Sequence, residues 1–337
     1  MSSAPTLKSI AQRVGTTANT VSLALRDSPL VAQATKARIQ AAAREMGYVQ
    51  NAIAGSLRSG RTNTIAVVMG DIANPLFAAK TKALERVLRE KGYQIIIFNS
   101  DEDPGREAEA VRTAISRKVD GVVLCPCAEP EESLRLLKRH GVPCVLCGRM
   151  DRSGDEDTVL WNDWRGGYLA ASHLLSCGCR RIAWLGVTQR ISSARDRKNG
   201  YLDALREAGV EPDPALVAEA SPTGGDVGRV LAPLLERGAD AICAFSDLIA
   251  WEAACYLEDN GLRVPTDIQL TGFDNVAAHM RIPYRLTSIG ADLEREARES
   301  MRLLLLRMRE PGRPVTISKI ETELVVRSST LPCGEKG

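Results

Sequence analysis

Two pairs of closely spaced cysteines stand out as residues that could do chemistry. Cys125-Pro-Cys127 and Cys177-Gly-Cys179 each bring two sulfur atoms together, and neighbouring thiolates can bind a soft metal. Their spacing is C-x-C rather than the C-x-x-C of structural zinc sites. The nine cysteines are odd in number and irregularly spaced, which argues against a complete disulfide framework. We interpret them as mostly reduced thiols in buried or loop positions, without a bound metal.

The sequence lacks the motifs that common enzyme chemistries require. It contains no G-x-G-x-x-G, no G-x-x-x-x-G-K-[ST] and no H-E-x-x-H. The only histidines are far apart in the chain: His140, His173 and His279. His173 precedes two leucines in a predicted helix, which favours a structural role. The sequence therefore predicts a protein that is not an enzyme and that uses no cofactor.

The beginning of the chain indicates a different chemistry, namely binding to a polyanion. The net charge is +2 overall, but residues 1–62 contain eight Lys/Arg and two Asp/Glu, a net charge of +6 that leaves −4 for the rest. A basic segment ahead of an acidic body favours nucleic acid as its partner. The same segment carries small and polar residues that can approach base edges, among them Thr17, Ala18 and Asn19.

Three short helices are predicted to position these residues. Apolar residues recur at i, i+3, i+4 and i+7 in the first helix: Leu7, Ile10, Ala11 and Val14. Gly15 ends this helix, and Thr16 or Thr17 can cap a second one. A third helix is expected at about 35–46, before Gly47. This is a helix-turn-helix pattern, in which the first residues of the second helix face the bases of the major groove.

At this point the sequence resembles the LacI/GalR family of bacterial transcription regulators. The likeness is most specific in residues 6–11 (TLKSIA), 20–22 (TVS), 47–48 (GY) and 51–60 (NAIAGSLRSG), and it continues over nearly the whole chain. It implies a hinge within residues 51–63 that becomes helical on operator DNA, in a homodimer. The DNA contacts implied by the pattern and the resemblance are Thr6, Thr17, Ala18, Asn19, Thr20, Ser22, Leu23, Asn51, Ala54, Leu57 and Arg58.

The hinge and the reading helix each have a property that follows from residue type. A helix over residues 52–59 is too short to be stable alone, and Gly55 weakens it further, so it should need DNA and a second subunit. The resemblance implies that Leu57 wedges into the minor groove, where an apolar wedge kinks the duplex. Leu23 stands where the family usually has arginine, and leucine cannot contact guanine bidentately. We expect Leu23 to meet a thymine methyl group or no base. Gln50, where proline is frequent, indicates a looser entry to the hinge.

From Thr64 onward, short apolar runs alternate with amphipathic helices, which indicates parallel βαβ units. Strands are expected at 65–69, 94–98, 121–124, 142–146, 181–185, 240–243 and 268–271, and helices at 75–91, 106–118 and 131–140. The predicted class is α/β, with a three-helix head and two doubly wound parallel-sheet lobes like those of periplasmic binding proteins. The expected domains are a head at 1–50, a hinge and linker at 51–63, and an effector-binding and dimerisation domain at 64–335. Its lobes are expected to comprise 64–160 with 290–315, and 161–289 with 316–330.

A ligand in such a sheet binds beyond the carboxyl ends of the strands. This rule nominates 71–77, Cys125, Arg149, 193–197, 246–247 and Asp274, and the resemblance narrows the effector set to Asp71, Asn74, Phe77, Asp163, Ser193, Arg197, Ser246 and Asp274. Arg197 and Asp274 suit vicinal hydroxyls. Ion pairs between lobes and helix caps remain alternatives, especially for Asn74, which precedes Pro75. Three departures from the family indicate an effector other than an ordinary sugar: the order Asn162-Asp163, Ser246 in place of asparagine, and no aromatic residue in 221–226.

The remaining expectations concern location and partners. The N-terminus has no apolar region of a secretory signal, and no run of 18 apolar residues occurs, which favours a cytoplasmic protein without a membrane partner. A periplasmic solute-binding protein would share the body plan, but it would need a signal peptide and no DNA-binding head. The expected partners are double-stranded operator DNA, a small-molecule effector such as a carbohydrate, and a second copy of the chain. The tail after Thr330 shows no heptad repeat, and dimer and tetramer both stay open.

Overall fold

A computed structural model describes residues 4–49, 60–188, 190–222, 224–280 and 285–332. The predicted hinge contacts Asn51, Ala54, Leu57 and Arg58 lie outside the described residues. The chain divides into two compact units, Met1–Thr62 and Asn63–Gly337, which we call the head and the body.

The head contains helices α1 (Leu7–Val14), α2 (Ala18–Ala24) and α3 (Gln33–Glu45). Their apolar stripes meet in one small core, in which Ile10, Val21 and Ile39 are completely buried. Gly15 ends α1 in the left-handed conformation with φ 67°, which allows the chain to turn sharply into α2. The predicted pair of helices with a glycine turn is therefore present.

The body contains two six-stranded sheets covered by helices. The first sheet has the order β2-β1-β3-β4-β5-β11, and the second has the order β7-β6-β8-β9-β10-β12. All described strand pairs are parallel except β10 with β12. The strands are β1 (Thr64–Met69), β2 (Gln94–Asn99), β3 (Gly121–Leu124), β4 (Cys144–Cys147), β5 (Thr158–Trp161), β6 (Ile182–Val187), β7 (Val217–Ala220), β8 (Ala241–Ala244), β9 (Gln269–Phe273), β10 (Thr287–Ala291), β11 (Ile317–Ile320) and β12 (Thr322–Val325).

Eight α-helices of the described body lie between these strands along the chain. They are α4 (Pro75–Glu90), α5 (Pro104–Ser116), α6 (Glu131–His140), α7 (Asp163–Ser176), α8 (Ser192–Glu207), α9 (Val227–Glu236), α10 (Asp247–Asp259) and α11 (Leu293–Arg309). The helix expected at 106–118 begins two residues earlier, because Asp103 caps it by accepting a hydrogen bond from the Arg106 amide at 2.8 Å and Pro104 occupies its first turn. The predicted α/β class with two doubly wound parallel sheets is confirmed.

The expected division of the last residues between the lobes is wrong for β11. This strand was expected in the second lobe, within 316–330, yet it pairs in parallel with β5 of the first sheet. The buried carboxylate of Asp157 explains the placement, since it accepts hydrogen bonds from the Thr316 amide at 2.8 Å and from Arg313 at 2.6 Å. The chain then crosses to the second sheet at Glu321, where β12 pairs with β10. Of these two strands, only β12 lies in the second lobe, as expected.

Glycines allow α7 and α8 to pack closely in the second lobe. A Cβ atom on Gly167 would overlap the backbone carbonyl of Arg197, and one on Gly200 would overlap the carbonyl of Trp164. Only glycine leaves room for backbones at this separation. The close approach places the Arg197 side chain beside the beginning of α7.

Most of the described cysteines are free, in agreement with the expectation of mostly reduced thiols. Cys177 is disulfide-bonded, whereas seven other cysteines are free: Cys125, Cys127, Cys144, Cys147, Cys179, Cys243 and Cys255. Burial raises the pKa of the Cys243 thiol to about 12, so this sulfur stays protonated and unreactive at neutral pH. Within the described ranges, no group of side chains has the composition of a metal site. Nor does any helix there have the length and apolar character to cross a membrane.

Candidate functional sites

The first turn of α2 presents a small polar face on the head. Thr17 caps this helix, because its hydroxyl accepts a hydrogen bond from the Thr20 amide at 3.1 Å. The two hydroxyls also lie 2.9 Å apart, so both threonines take part in the cap. The Asn19 side chain is exposed and makes no hydrogen bond with any described residue. Asn19 is therefore the predicted DNA contact whose hydrogen-bonding groups are free.

The other predicted contacts of the head also have structural roles. Thr6 forms a capping box with Ser9 at the beginning of α1. Arg26 donates to the Ser22 backbone carbonyl at 3.1 Å and also contacts the Ser22 hydroxyl. Ala18 and Leu23 are half-buried and pack against the head core. Leucine at position 23 is thus explained by packing, and its contact with a base stays a prediction.

The basic charge of the head is partly used inside it. Lys36 is buried and paired with Asp27, with a distance of 2.8 Å between Nζ and Oδ1. Arg13 pairs with Glu45 at 2.6 Å, and Arg38 donates to the Val14 carbonyl at 3.0 Å. Lys8 and Arg44 remain exposed. Asp27 and Glu45 are therefore each paired with one cation, and the net charge of +6, which already subtracts both carboxylates, is left for a phosphate backbone.

The predicted effector residues converge in the body. A cavity of about 60 Å³, which we call the inner cavity, is lined by residues that follow strands of both sheets. Seven of the eight predicted residues line it: Asp71, Asn74, Phe77, Ser193, Arg197, Ser246 and Asp274. The eighth, Asp163, lies behind Arg197 and bonds to it. The fold thus brings together residues that follow the carboxyl ends of different strands, as the strand-end rule predicts.

The guanidinium of Arg197 is the centre of this cluster in the second lobe. Its Nε donates to Asp163 Oδ1 at 2.7 Å, and its Nη1 donates to the Phe245 carbonyl at 2.8 Å and lies 3.4 Å from Asp274 Oδ1. The guanidinium carbon lies 3.5 Å from the centre of the Phe273 ring and 4.6 Å from that of Phe245. Arg197 and both carboxylates are buried. The alternative of an ion pair therefore holds for Arg197 and Asp274, although the pair lies within one lobe and not between two.

The first lobe contributes a second buried arginine that faces the same space. Arg149 binds Glu102 through two hydrogen bonds of 2.6 and 2.9 Å. Its guanidinium carbon lies 5.9 Å from the centre of the Phe77 ring. The narrowed set omitted Arg149, and it also missed Glu102 and Lys80, which line the inner cavity. Glu102 follows the carboxyl end of β2, so applying the strand-end rule to that strand would have found it.

Several predicted effector residues are partly occupied by local hydrogen bonds. Asn74 caps α4 by accepting from the Leu76 amide at 3.0 Å, and Ser246 caps α10 by accepting from the Ile249 amide at 3.4 Å. Asp71 accepts from the Ala73 amide at 2.9 Å. Ser193 is buried, and its hydroxyl has no hydrogen-bond partner among the described residues. Of the predicted polar contacts, Ser193 is the one free to meet a ligand without losing a protein contact.

Burial changes the acidity of two carboxyl groups beside Arg197. Desolvation raises the pKa of Asp274 to about 6, although Arg197 opposes this shift. Desolvation and the nearby Asp274 raise the pKa of Asp247 to about 8. Asp247 accepts hydrogen bonds from the Ser288 hydroxyl at 2.6 Å and from the Val276 amide at 2.7 Å. Asp274, which lines the inner cavity, and Asp247, which lies behind its lining, thus have pKa values closer to neutral pH than ordinary carboxyl groups.

Comparison with known proteins identifies both parts of the chain. Residues 6–51 match the family described as bacterial regulatory proteins, lacI family, and residues 171–330 match the periplasmic binding protein-like domain. The transcriptional regulator GalR of Escherichia coli is 30% identical over 89% of this chain and 88% of its own. RegA of Clostridium saccharobutylicum is 32% identical over 97% of this chain and 100% of its own. The complex of the transcriptional regulator CelR with cellobiose has a TM-score of 0.72 at 30% identity, over 96% of this chain and 99% of its own.

The pH dependence of stability tests the buried state of Asp247. Its pKa of about 8 in the folded body lies above the value of about 3.9 in an unfolded chain. Folding therefore takes up a proton between these values, and the free energy of unfolding falls as the pH rises, by at most about 1.4 kcal/mol per pH unit. Asp247→Asn removes this proton, so its stability should vary less between about pH 5 and pH 8. Urea titrations that follow the body transition measure the slope.

Asp267→Asn is the matched control for this experiment. Asp267 is exposed, and its hydrogen bonds with Arg263 lower its pKa to about 2, so it is ionised throughout the range tested. This variant should keep the wild-type slope. An unchanged slope in Asp247→Asn would show that Asp247 does not take up a proton on folding.

Proposed function

The chain belongs to the LacI family of bacterial regulatory proteins and is a DNA-binding transcription regulator, and on this premise we propose that it is a cytoplasmic repressor controlled by a small ligand. In this proposal α2 reads an operator, and a polar metabolite between the lobes changes operator affinity. The protein acts by binding and not by catalysis. The observation that carries the proposal is the first turn of α2, where a Thr17 cap holds an exposed Asn19 at the end of a compact helix-turn-helix head.

The DNA-binding proposal follows from the geometry of α2. The Thr17–Thr20 cap fixes the backbone at the beginning of the helix, and the exposed Asn19 side chain projects from this first turn. An asparagine side chain can donate to and accept from the edge of adenine in the major groove. Lys8 and Arg44 remain exposed for contact with phosphates, which supply affinity without sequence preference. We extend the DNA-binding unit through the hinge, where Leu57 and Arg58 are proposed as minor-groove and backbone contacts on sequence grounds alone.

The effector proposal rests on the inner cavity. Arg197 and Asp274 are held rigidly by their mutual contacts, and Ser193 presents a free hydroxyl beside them. Fixed donors and acceptors next to aromatic rings suit a polyhydroxylated ligand. The CelR structure contains cellobiose, which agrees with a ligand of this class. Residues of both lobes line the cavity, so a bound ligand favours one angle between the lobes and shifts the population of operator-binding states.

We also propose that the working form is a homodimer. An apolar groove of about 370 Å³ lies on the first lobe, where β2 forms the edge of the sheet. Ile72 and Ile97 expose 47% and 46% of their surface there, and Ile95 lies beside them. Exposed isoleucines at an edge strand favour association. A second copy covering this face would bring two heads to the two halves of one operator.

Replacing Asn19 tests the reading role of α2. Asn19→Ala removes the free amide without changing the cap, so we expect operator affinity to fall about 10- to 100-fold while affinity for unrelated DNA changes little. Fluorescence anisotropy at fixed salt, with an operator selected from a random pool, measures both affinities. Gln33→Ala, an exposed residue in the first turn of α3, serves as the control and should match wild type. Equal losses on operator and unrelated DNA would contradict sequence reading by Asn19.

Ser193→Ala tests the effector role of the inner cavity. The serine hydroxyl has no hydrogen-bond partner among the described residues, so its loss should leave stability unchanged and raise the dissociation constant of the effector about three- to tenfold. Arg197→Ala is unsuitable, because it would leave Asp163 and Asp274 buried without a counter-charge and would destabilise the body. The measurement is operator affinity during titration with metabolites. If no metabolite alters the operator affinity of wild type, control by a ligand is wrong.

Ile97→Asp tests the homodimer. A charge in the apolar groove should oppose association, so this variant should sediment as a monomer where wild type sediments as a dimer. Val326→Asp places the same charge on an apolar residue of the second lobe that is 57% exposed, and it should remain dimeric. A wild-type chain that sediments as a monomer at micromolar concentration would overturn the homodimer proposal.

A further inference from the structure

A larger chamber adjoins the inner cavity, and we call it the outer chamber. It has a volume of about 600 Å³ and shares Arg149 with the inner cavity. The first lobe contributes residues that follow β3 and β4, and the second lobe contributes β6, an edge of β7 and the first turns of α8. The inner cavity, at about 60 Å³, is well below the roughly 300 Å³ of a typical ligand site, whereas the outer chamber is within that range. The outer chamber, which shares Arg149 with the inner cavity, has the room that a ligand of ordinary size needs.

More cationic than acidic residues line the outer chamber. Five of its lining residues are cationic and two are acidic: Arg149, Arg152, Arg190, Arg195 and Lys198 against Asp151 and Glu219. Arg149 is paired with Glu102, Arg195 with Asp196 at 2.7 Å, and Lys198 lies 3.9 Å from Glu219. Arg152 and Arg190 are exposed and have no carboxylate partner among the described residues. The positive charge of these two arginines is thus available to an anionic group of a ligand.

The beginning of α8 adds to this positive potential. The helix has 16 residues, its N-cap is Ile191, and no side chain caps its first amides. The Ser192 hydroxyl accepts a hydrogen bond from the Met150 amide of the first lobe at 2.9 Å, so it is turned away from its own helix end. Uncapped amides at a helix N-terminus bind anions, because they point outward and the helix dipole is positive there.

One carboxylate of the outer chamber is itself almost completely enclosed. Asp151 lines the chamber, yet it is only 8% exposed. Its Oδ2 accepts a hydrogen bond from the Ser153 amide at 3.0 Å, whereas its Oδ1 is buried and has no hydrogen-bond partner among the described residues. Because Oδ1 has almost no surface open to the chamber, this oxygen is not a contact for a ligand.

We infer that the effector of this protein is a polyhydroxylated anion, such as a sugar acid or a sugar phosphate. Its anionic group binds between Arg152, Arg190 and the first amides of α8, while its hydroxyl groups reach the inner cavity. This inference rests on the proposed function and deepens it by naming the charge of the ligand. It also accounts for a cleft in which residues 221–226 offer no aromatic platform for a neutral sugar ring.

Calorimetric titration of the full chain with matched compounds tests this inference. The probes are D-glucose, D-gluconate and D-glucose 6-phosphate, the corresponding galactose set, and inorganic phosphate. At least one anionic compound should bind at least about tenfold more tightly than its neutral counterpart, since hydrogen bonds between charged groups add this much. The gluconate and phosphate arms distinguish a carboxylate from a phosphate ligand. Binding of the anionic compound should weaken as salt is raised.

A double variant locates the anionic group. Arg152→Ala with Arg190→Ala should lower the affinity for the anionic compound at least about tenfold and leave any neutral sugar unaffected. Arg206→Ala, at the other end of α8, is the control and should stay within about twofold of wild type. Both changed arginines are exposed, so folding should not be affected.

The outcomes separate this inference from the proposed function. If no anionic compound binds, if a neutral sugar binds as tightly as its anionic counterpart, or if the double variant binds the anion like wild type, the inference is wrong. A neutral sugar that changes operator affinity would overturn the inference and leave the proposed function standing. An anionic compound that binds through Arg152 and Arg190 but leaves operator affinity unchanged would instead support the inference and contradict control by a ligand.

Discussion

The buried guanidinium of Arg197 is the constraint on which the ligand cleft depends. A charge removed from water needs partners on every side, and Arg197 finds them in Asp163, Asp274 and the rings of Phe245 and Phe273. These partners follow different strands or begin a helix, so the second lobe must be fully assembled before the charge is satisfied. The glycines of α7 and α8 serve this requirement, because they let the Arg197 backbone lie against the helix that carries Asp163.

Each lobe neutralises its own buried arginine. Arg197 is paired within the second lobe, and Arg149 is paired with Glu102 within the first. The lobes can therefore change their relative angle without separating a buried ion pair, which would be costly. The two lobes are joined by a hydrogen bond from the Met150 amide to the Ser192 hydroxyl. Breaking this bond during a change of angle would cost little free energy. A ligand that bridges the lobes can then decide between angles of similar energy.

Patterns among neighbouring residues predict many of the helices and strands of this protein. They do not predict which distant residues pair with one another. Apolar periodicity placed α1 and most parallel strands, and the strand-end rule collected Asn74, Ser193 and Arg197 in one cavity. Periodicity carries no information about which strand fills a free edge, so β11 was assigned to the wrong lobe. A count of charges likewise does not show that Lys36 is buried and forms an ion pair with Asp27 inside the head.

The return of α11 and β11 to the first sheet has a consequence for biosynthesis and for evolution. Neither lobe is a continuous stretch of chain, and the edge of the first sheet is completed by Ile317–Ile320, near the end of the chain. As the ribosome releases the chain, the head can fold before the body, but the first lobe must wait with an open edge until β11 emerges, more than 150 residues after β5. For the same reason recombination between genes can exchange the head as one segment. It cannot exchange a single lobe without cutting the chain in several places.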